Sequence, residues 1–184
     1  MDCGKGTVIH MRKENVILIG FMGSGKSTVG IALSYRLQCV LSDTDKMIEK
    51  KEGRSISEIF AAEGEAYFRQ KETELLEKLK KEKGKQIFSV GGGTPLRAEN
   101  RKLLRELGTV VYLKASPETV YGRLRGDTTR PLLQGDDPMG KIRTLLGERG
   151  EIYREAADII VETDRKRPAQ IAAEIEKALK GESV

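Results

Sequence analysis

Tryptophan is absent from the 184 residues, histidine occurs once, as His10, and cysteine twice, as Cys3 and Cys39. A lone histidine in a polar N-terminal stretch excludes Ser-His-Asp catalysis and histidine-built zinc sites unless that residue takes part. Any general base therefore has to be a carboxylate or a lysine. Two cysteines so far apart fit neither a disulfide framework nor a metal pattern, and read as free thiols of a reducing compartment. No apolar run is long enough to span a bilayer. Met1 to His10 lacks the apolar centre of a secretory signal, so the expectation is a cytoplasmic protein with no membrane partner. The formal charge of +5 raises nucleic acid as a partner. No basic stretch is interleaved with aromatics, however, and nucleic-acid recognition is unsupported. The run Lys78, Lys80, Lys81, Lys83, Lys85 closes a polar helical stretch and reads as a solvated last turn, where cations suit the helix dipole.

What is present is alternation. Short apolar runs at Val16–Ile19, Cys39–Leu41, Gln86–Val90, Thr109–Leu113 and Asp158–Val161 read as strands. Between them lie helical patterns: Lys26–Gln38, Lys46–Lys83 with breaks near Gly53 and Gly64, Glu99–Leu107, Gly140–Ala156 and Pro168–Lys180. Ser116-Pro117 places an N-cap beside a proline at the first helical position. Buried strands separated by helices imply an α/β fold, a parallel sheet covered on both faces. Residues 1–13 read as a flexible N-terminal extension and 14–184 as one domain, with a mobile segment at about 125–138.

Gly20-Phe21-Met22-Gly23-Ser24-Gly25-Lys26-Ser27, followed by Thr28, matches G-x-x-x-x-G-K-[ST] between a buried strand and an amphipathic helix. Glycines let several backbone N–H groups converge on phosphate, and the helix N-terminus adds partial positive charge. Lys26 is expected to reach the β- and γ-phosphates and the Ser27 hydroxyl to ligate Mg²⁺. The loop identifies a nucleotide but not a reaction. No Asn-Lys-x-Asp guanine motif is present, which removes the GTPase reading.

Asp43 and Asp45 follow the second strand at the sheet edge where the phosphate loop opens, the edge at which ligands gather in such sheets. One carboxylate suits the Mg²⁺ water shell and the other an acceptor hydroxyl; an Asx turn capping a helix explains the same spacing equally well. Gly91-Gly92-Gly93 ends the third strand at that edge. Three glycines are costly in backbone entropy and point to close approach of backbone to a ligand. Arg69 and Arg149 taken alone read as surface residues of helices.

In order along the chain, the phosphate loop, Asp43-Thr44-Asp45, Gly53-Arg54-Ser55-Ile56, Ile59-Phe60, Glu63-Gly64-Glu65, Phe68-Arg69, the triple glycine, Arg130-Pro131-Leu132-Leu133 and Arg149 to Tyr153 resemble the shikimate kinase family, from about Val16 to about Leu179. The resemblance implies a P-loop, nucleoside-monophosphate-kinase-like three-layer α/β/α fold with a five-stranded parallel sheet. It also implies transfer of the ATP γ-phosphate to the 3-hydroxyl of shikimate, with Mg²⁺; one compact domain with no exposed heptad pattern favours a monomer. By the same resemblance, Lys26, Asp45 and Arg130 are catalytic. Gly23 to Thr28, Arg123, Arg130, Arg167 and Pro168 bind ATP. Asp45, Phe60, Phe68, Arg69, Gly91, Gly92, Gly93 and Arg149 bind shikimate, the arginines taking its carboxylate. Ser27 ligates the metal directly and Asp43 through water. Val90 departs from the threonine or other small residue that often precedes the glycines. A kinase for another hydroxylated acceptor such as gluconate is the alternative, and a nucleotide-binding regulator without catalysis is disfavoured by Lys26, Asp45 and Arg130.

Overall fold

The computed structural model describes residues 15–82, 84–125 and 136–181. Its centre is a five-stranded sheet in the order β2-β3-β1-β4-β5. The strands are β1 (Val16–Ile19), β2 (Val40–Asp43), β3 (Gln86–Ser89), β4 (Thr109–Lys114) and β5 (Ile159–Glu162), all paired in parallel. Along β1 the side chains alternate between two cores, as the period of two in a strand demands. Val16 and Leu18 join Val29, Leu33, Ile171 and Ile175 on one face. Ile17 and Ile19 join Ile48, Ile59, Leu76, Leu104 and Ile142 on the other. That division explains why β1 is apolar without interruption: both faces of a central parallel strand are buried.

Helices α1 (Lys26–Leu37) and α7 (Pro168–Leu179) cover the first face. The second carries α2 (Thr44–Glu52), α3 (Ile56–Leu79), α4 (Ala98–Leu107), α5 (Pro117–Leu124) and α6 (Pro138–Ala156). The breaks expected in the long helical region are there: Gly53 ends α2 in the left-handed conformation, and Gly64, at φ 82°, kinks α3. Ser55 opens α3 through a reciprocal capping box with Glu58.

Three boundaries differ from expectation, each because of a cap or a short turn. Strand β2 runs on to Asp43, paired with Ser89 of β3, and α2 starts at once because the Asp43 carboxylate accepts the N–H groups of Asp45 and Lys46. Helix α6 begins at Pro138 rather than Gly140, since Asp137 caps it through the Gly140 N–H, 2.8 Å away. A 3₁₀ turn, Thr94–Leu96, follows the triple glycine. The proposed extension 1–13 and most of the segment 125–138, Arg130 included, lie outside the described residues.

Candidate active site

Strand β1 delivers the phosphate loop to the C-terminal edge of the sheet. Gly25 caps α1 at φ 100°, a conformation that a residue with a Cβ adopts only under strain, and the N-terminus of α1 opens behind it. Lys26 Nζ donates to the carbonyls of Gly20, at 2.8 Å, and Phe21, at 3.1 Å, so the lysine is folded back onto its own loop. A cavity of about 250 Å³ lies in front of it. Gly23, Gly25, Lys26, Ser27 and Thr28 form one wall; Asp43, Asp45, Gly91 and Gly92 face them. Phosphate loop, both aspartates and two of the three glycines thus share one space.

A second cavity of about 380 Å³ adjoins the first through Gly23, Gly25 and Thr28, and is lined beyond them by Ser24, Arg123 and Pro168. Arg123 ties its two sides together. Nη1 donates to the carbonyls of Gly23 and Ser24, and Nη2 donates to that of Thr163 at the end of β5. Lys166 lines this space where Arg167 was expected. Arg167 instead caps α7, its backbone N–H donating to Gln170 Oε1.

The cap that the spacing of Asp43 and Asp45 suggested is present, and it leaves both carboxylates at the cavity. Asp43 Oδ1 caps α2, 3.0 Å from the Asp45 nitrogen, which leaves its second oxygen available. The cap sets Asp45 in the first helical turn, pointing into the cavity. Its Oδ1 is buried and has no hydrogen-bond partner among the described residues. Burial, then the charges of Asp43 and Glu72, raise the Asp45 carboxyl from 3.8 to about 6, against the pull of Lys26 and Arg69. Two carboxylates and the Ser27 hydroxyl are the hard oxygen set that suits Mg²⁺, which keeps several waters and normally arrives with nucleotide phosphates. Among the described residues no group of three or more His, Cys, Asp or Glu could hold a metal ion.

The raised Asp45 value has a consequence for stability. In the unfolded chain this carboxyl reverts to its ordinary value, so between roughly 4 and 6 the native state holds more protons than the unfolded one. Stability is therefore lost as pH rises through that window, and the deficit is complete above about 6. Asp45→Asn removes the charge. The ligand-free variant should melt above wild type at about pH 7.5, with a gap that narrows towards about pH 5. A gap independent of pH would show that the carboxyl is not perturbed.

The far wall is organised by an acid that the motifs did not single out. Glu72 on α3 is 2% exposed. It accepts from Arg69 Nη1 at 2.7 Å and from the Thr94 hydroxyl. Glu65 accepts from Nε and Nη2 of the same arginine. Burial works against the Arg69 charge, but Glu72 and Glu65 outweigh it and raise its pKa. Of the five guanidinium N–H groups these bonds use three, leaving one each on Nη1 and Nη2. Gly93 lies flat against the same group, since a Cβ there would stand 2.4 Å from Cζ, Nη1 and Nη2. Arg149 on α6 has its guanidinium 5.8 Å from the Phe21 ring centroid, a cation–π contact that brings α6 to the phosphate loop. Phe60 is partly exposed and meets Phe68 edge to face at 5.1 Å. Phe68 itself is buried in the core and supports this wall from behind. Glu72 had one signal in the sequence, its position three residues after Arg69 on a helix.

A model of the shikimate kinase family matches residues 22–180 of the chain. The shikimate kinase of Symbiobacterium thermophilum is 44% identical over 167 residues, covering 90% of this chain and 95% of the relative. The structure of shikimate kinase from Acinetobacter baumannii in complex with shikimate superposes with a TM-score of 0.85 at 39% identity, over 91% of this chain and 93% of that one. A gluconokinase from Sinorhizobium meliloti, at TM-score 0.55 and 16% identity over 92% of this chain and 94% of its own, shares the fold alone.

Proposed function

The chain belongs to the shikimate kinase family, and from that premise we propose how its residues carry phosphate from ATP to the 3-hydroxyl of shikimate. The adenine takes the space between Arg123 and Pro168, which puts the triphosphate along the backbone of Gly23 to Thr28. Lys26 leaves the carbonyls of Gly20 and Phe21 for the β- and γ-phosphates. Ser27 directly, and Asp43 through water, would hold Mg²⁺, which would neutralise charge on those phosphates. Shikimate enters with its carboxylate on the two open N–H groups of Arg69 and on Arg149, guanidinium being suited to a carboxylate. Gly91, Gly92 and Gly93 form the wall against which its ring rests, with Phe60 and Phe68 behind the carboxylate end.

Asp45 orients the 3-hydroxyl and accepts its proton as the oxygen attacks the γ-phosphorus; the bond to the β-phosphate oxygen breaks, and ADP leaves. Arg130, which lies outside the described residues, supplies the positive charge that stabilises the transferring group. The enzyme works as a cytoplasmic monomer with small molecules as its only substrates. The support for a monomer is that the chain's own helices cover both sheet faces. Among the described residues no helix is long and apolar enough to cross a membrane.

The observation that carries this reading is the single cavity lined by the phosphate loop and by Asp45. Purified protein should release ADP from ATP in a coupled assay only when both shikimate and Mg²⁺ are present. Gluconate in place of shikimate should leave the rate at background. Turnover with gluconate and none with shikimate would overturn the acceptor while leaving the donor site intact.

A further inference from the structure

Tyr153 on α6 is fully buried yet carries a hydroxyl with a specific task. That hydroxyl donates to the Gly92 carbonyl at 2.7 Å, joining positions 61 residues apart. Its ring packs on Tyr112 of β4, with centroids 5.2 Å apart. One helical turn earlier on the same helix stands Arg149, whose guanidinium lies over the Phe21 ring. Burial keeps the phenol protonated, pushed up to about 12, so at neutral pH it is a donor to Gly92. Gly92 lines the cavity beside the phosphate loop, and its carbonyl fixes the peptide plane that joins it to Gly93. Without a side chain, Gly92 has no packing of its own to set that plane.

We propose that Tyr153 is a positioning residue for the acceptor, locking the Gly92 peptide onto α6, the helix that carries Arg149. The inference rests on the shikimate kinase reading of the site. It assigns specificity to a group that touches neither substrate. A wall held from α6 keeps the glycine backbone and an arginine from different elements at a fixed separation, as recognition of one small rigid acid requires.

The test is Tyr153→Phe, which keeps the ring against Tyr112 and removes only the hydroxyl. The shikimate KM should rise about tenfold, as the loss of one buried hydrogen bond predicts. The ATP KM should stay within about twofold, because no contact of the phosphate loop is removed. Tyr112→Phe, which alters the same ring pair but not the bond to Gly92, should leave both values unchanged. A Tyr153→Phe enzyme with a wild-type shikimate KM overturns the inference, even if it melts earlier. Wild-type turnover with shikimate, measured in the same series, tests the assignment of the reaction separately. Hydrogen exchange covers the case in which that assignment fails. The peptide from Val90 to Leu96 should exchange faster in Tyr153→Phe than in wild type, and equal exchange overturns the positioning role whatever the substrate.

Discussion

Asp45→Asn should reduce kcat by about a thousandfold, within the range expected for loss of a positioned base, and leave nucleotide affinity nearly unchanged. The asparagine fills the same space in the first turn of α2, and the Asp43 cap that places this turn uses the backbone N–H of residue 45, not its side chain. What disappears is the base: among the described residues this is the carboxylate oxygen that is buried, without a hydrogen-bond partner and turned into the cavity, and an amide oxygen cannot take a proton there. The binding groups for the triphosphate lie on the opposite wall and are untouched. Single-turnover kinetics with shikimate, beside calorimetry with ADP, would separate the two effects. Turnover at the wild-type rate would remove Asp45 from the reaction. The variant should also be the more stable protein near neutral pH, because a carboxylate held at about 6 opposes folding once it is ionised. Lost activity with gained stability would identify strain kept for function, where simple misfolding would lower both.

The parts of this site that were legible in the sequence are those whose physics is local. The phosphate loop is a contiguous run whose glycines, lysine and hydroxyl act through one strand-to-helix turn, and its neighbours declare that context. The alternation of strands and helices was equally readable, because β1 is apolar on both faces and α1 on one. Legibility fell where a role depends on a partner distant in the chain. Glu72 meets the Thr94 hydroxyl 22 residues on, and Tyr153 meets Gly92 61 residues back. Neither pairing leaves a spacing that a single chain displays. Arg69 and Arg149 looked like ordinary helix-surface residues for the same reason: the Arg69 guanidinium lies against Gly93 and that of Arg149 against Phe21, partners far away in the chain. The start of α6 was missed differently. Asp137-Pro138 is the same cap-and-proline signal as Ser116-Pro117, but it stood in a stretch whose glycines suggested a loop.

That glycine backbone yields the sharpest test of the acceptor wall. Gly93→Ala should raise the shikimate KM by about a hundredfold, the cost of two charge-assisted hydrogen bonds, while the ATP KM changes little. The backbone of Gly93, at φ −88° and ψ −15°, is comfortable for alanine, so no conformational strain enters. The effect is one of space. A methyl group would stand 2.4 Å from three atoms of the Arg69 guanidinium, and one of the two has to move. Arginine is flexible, but this one is tethered. Moving it away strips Glu72, 2% exposed, of its cation. An unpaired buried carboxylate costs about 3–5 kcal/mol, so displacement is resisted. Shifting the glycine segment instead disturbs Gly91, whose own Cβ position is 2.7 Å from Asp45 Oδ1. Either route degrades acceptor binding and spares the nucleotide. Gly122→Ala on α5 is the control: among the described residues no atom beyond its own chain neighbours and helix backbone lies within 4 Å of the added methyl, and the variant should keep wild-type kinetics with a slightly higher melting temperature. A Gly93→Ala enzyme that binds shikimate normally would mean that Arg69 is free to leave its glutamates, and that the acceptor carboxylate is held elsewhere.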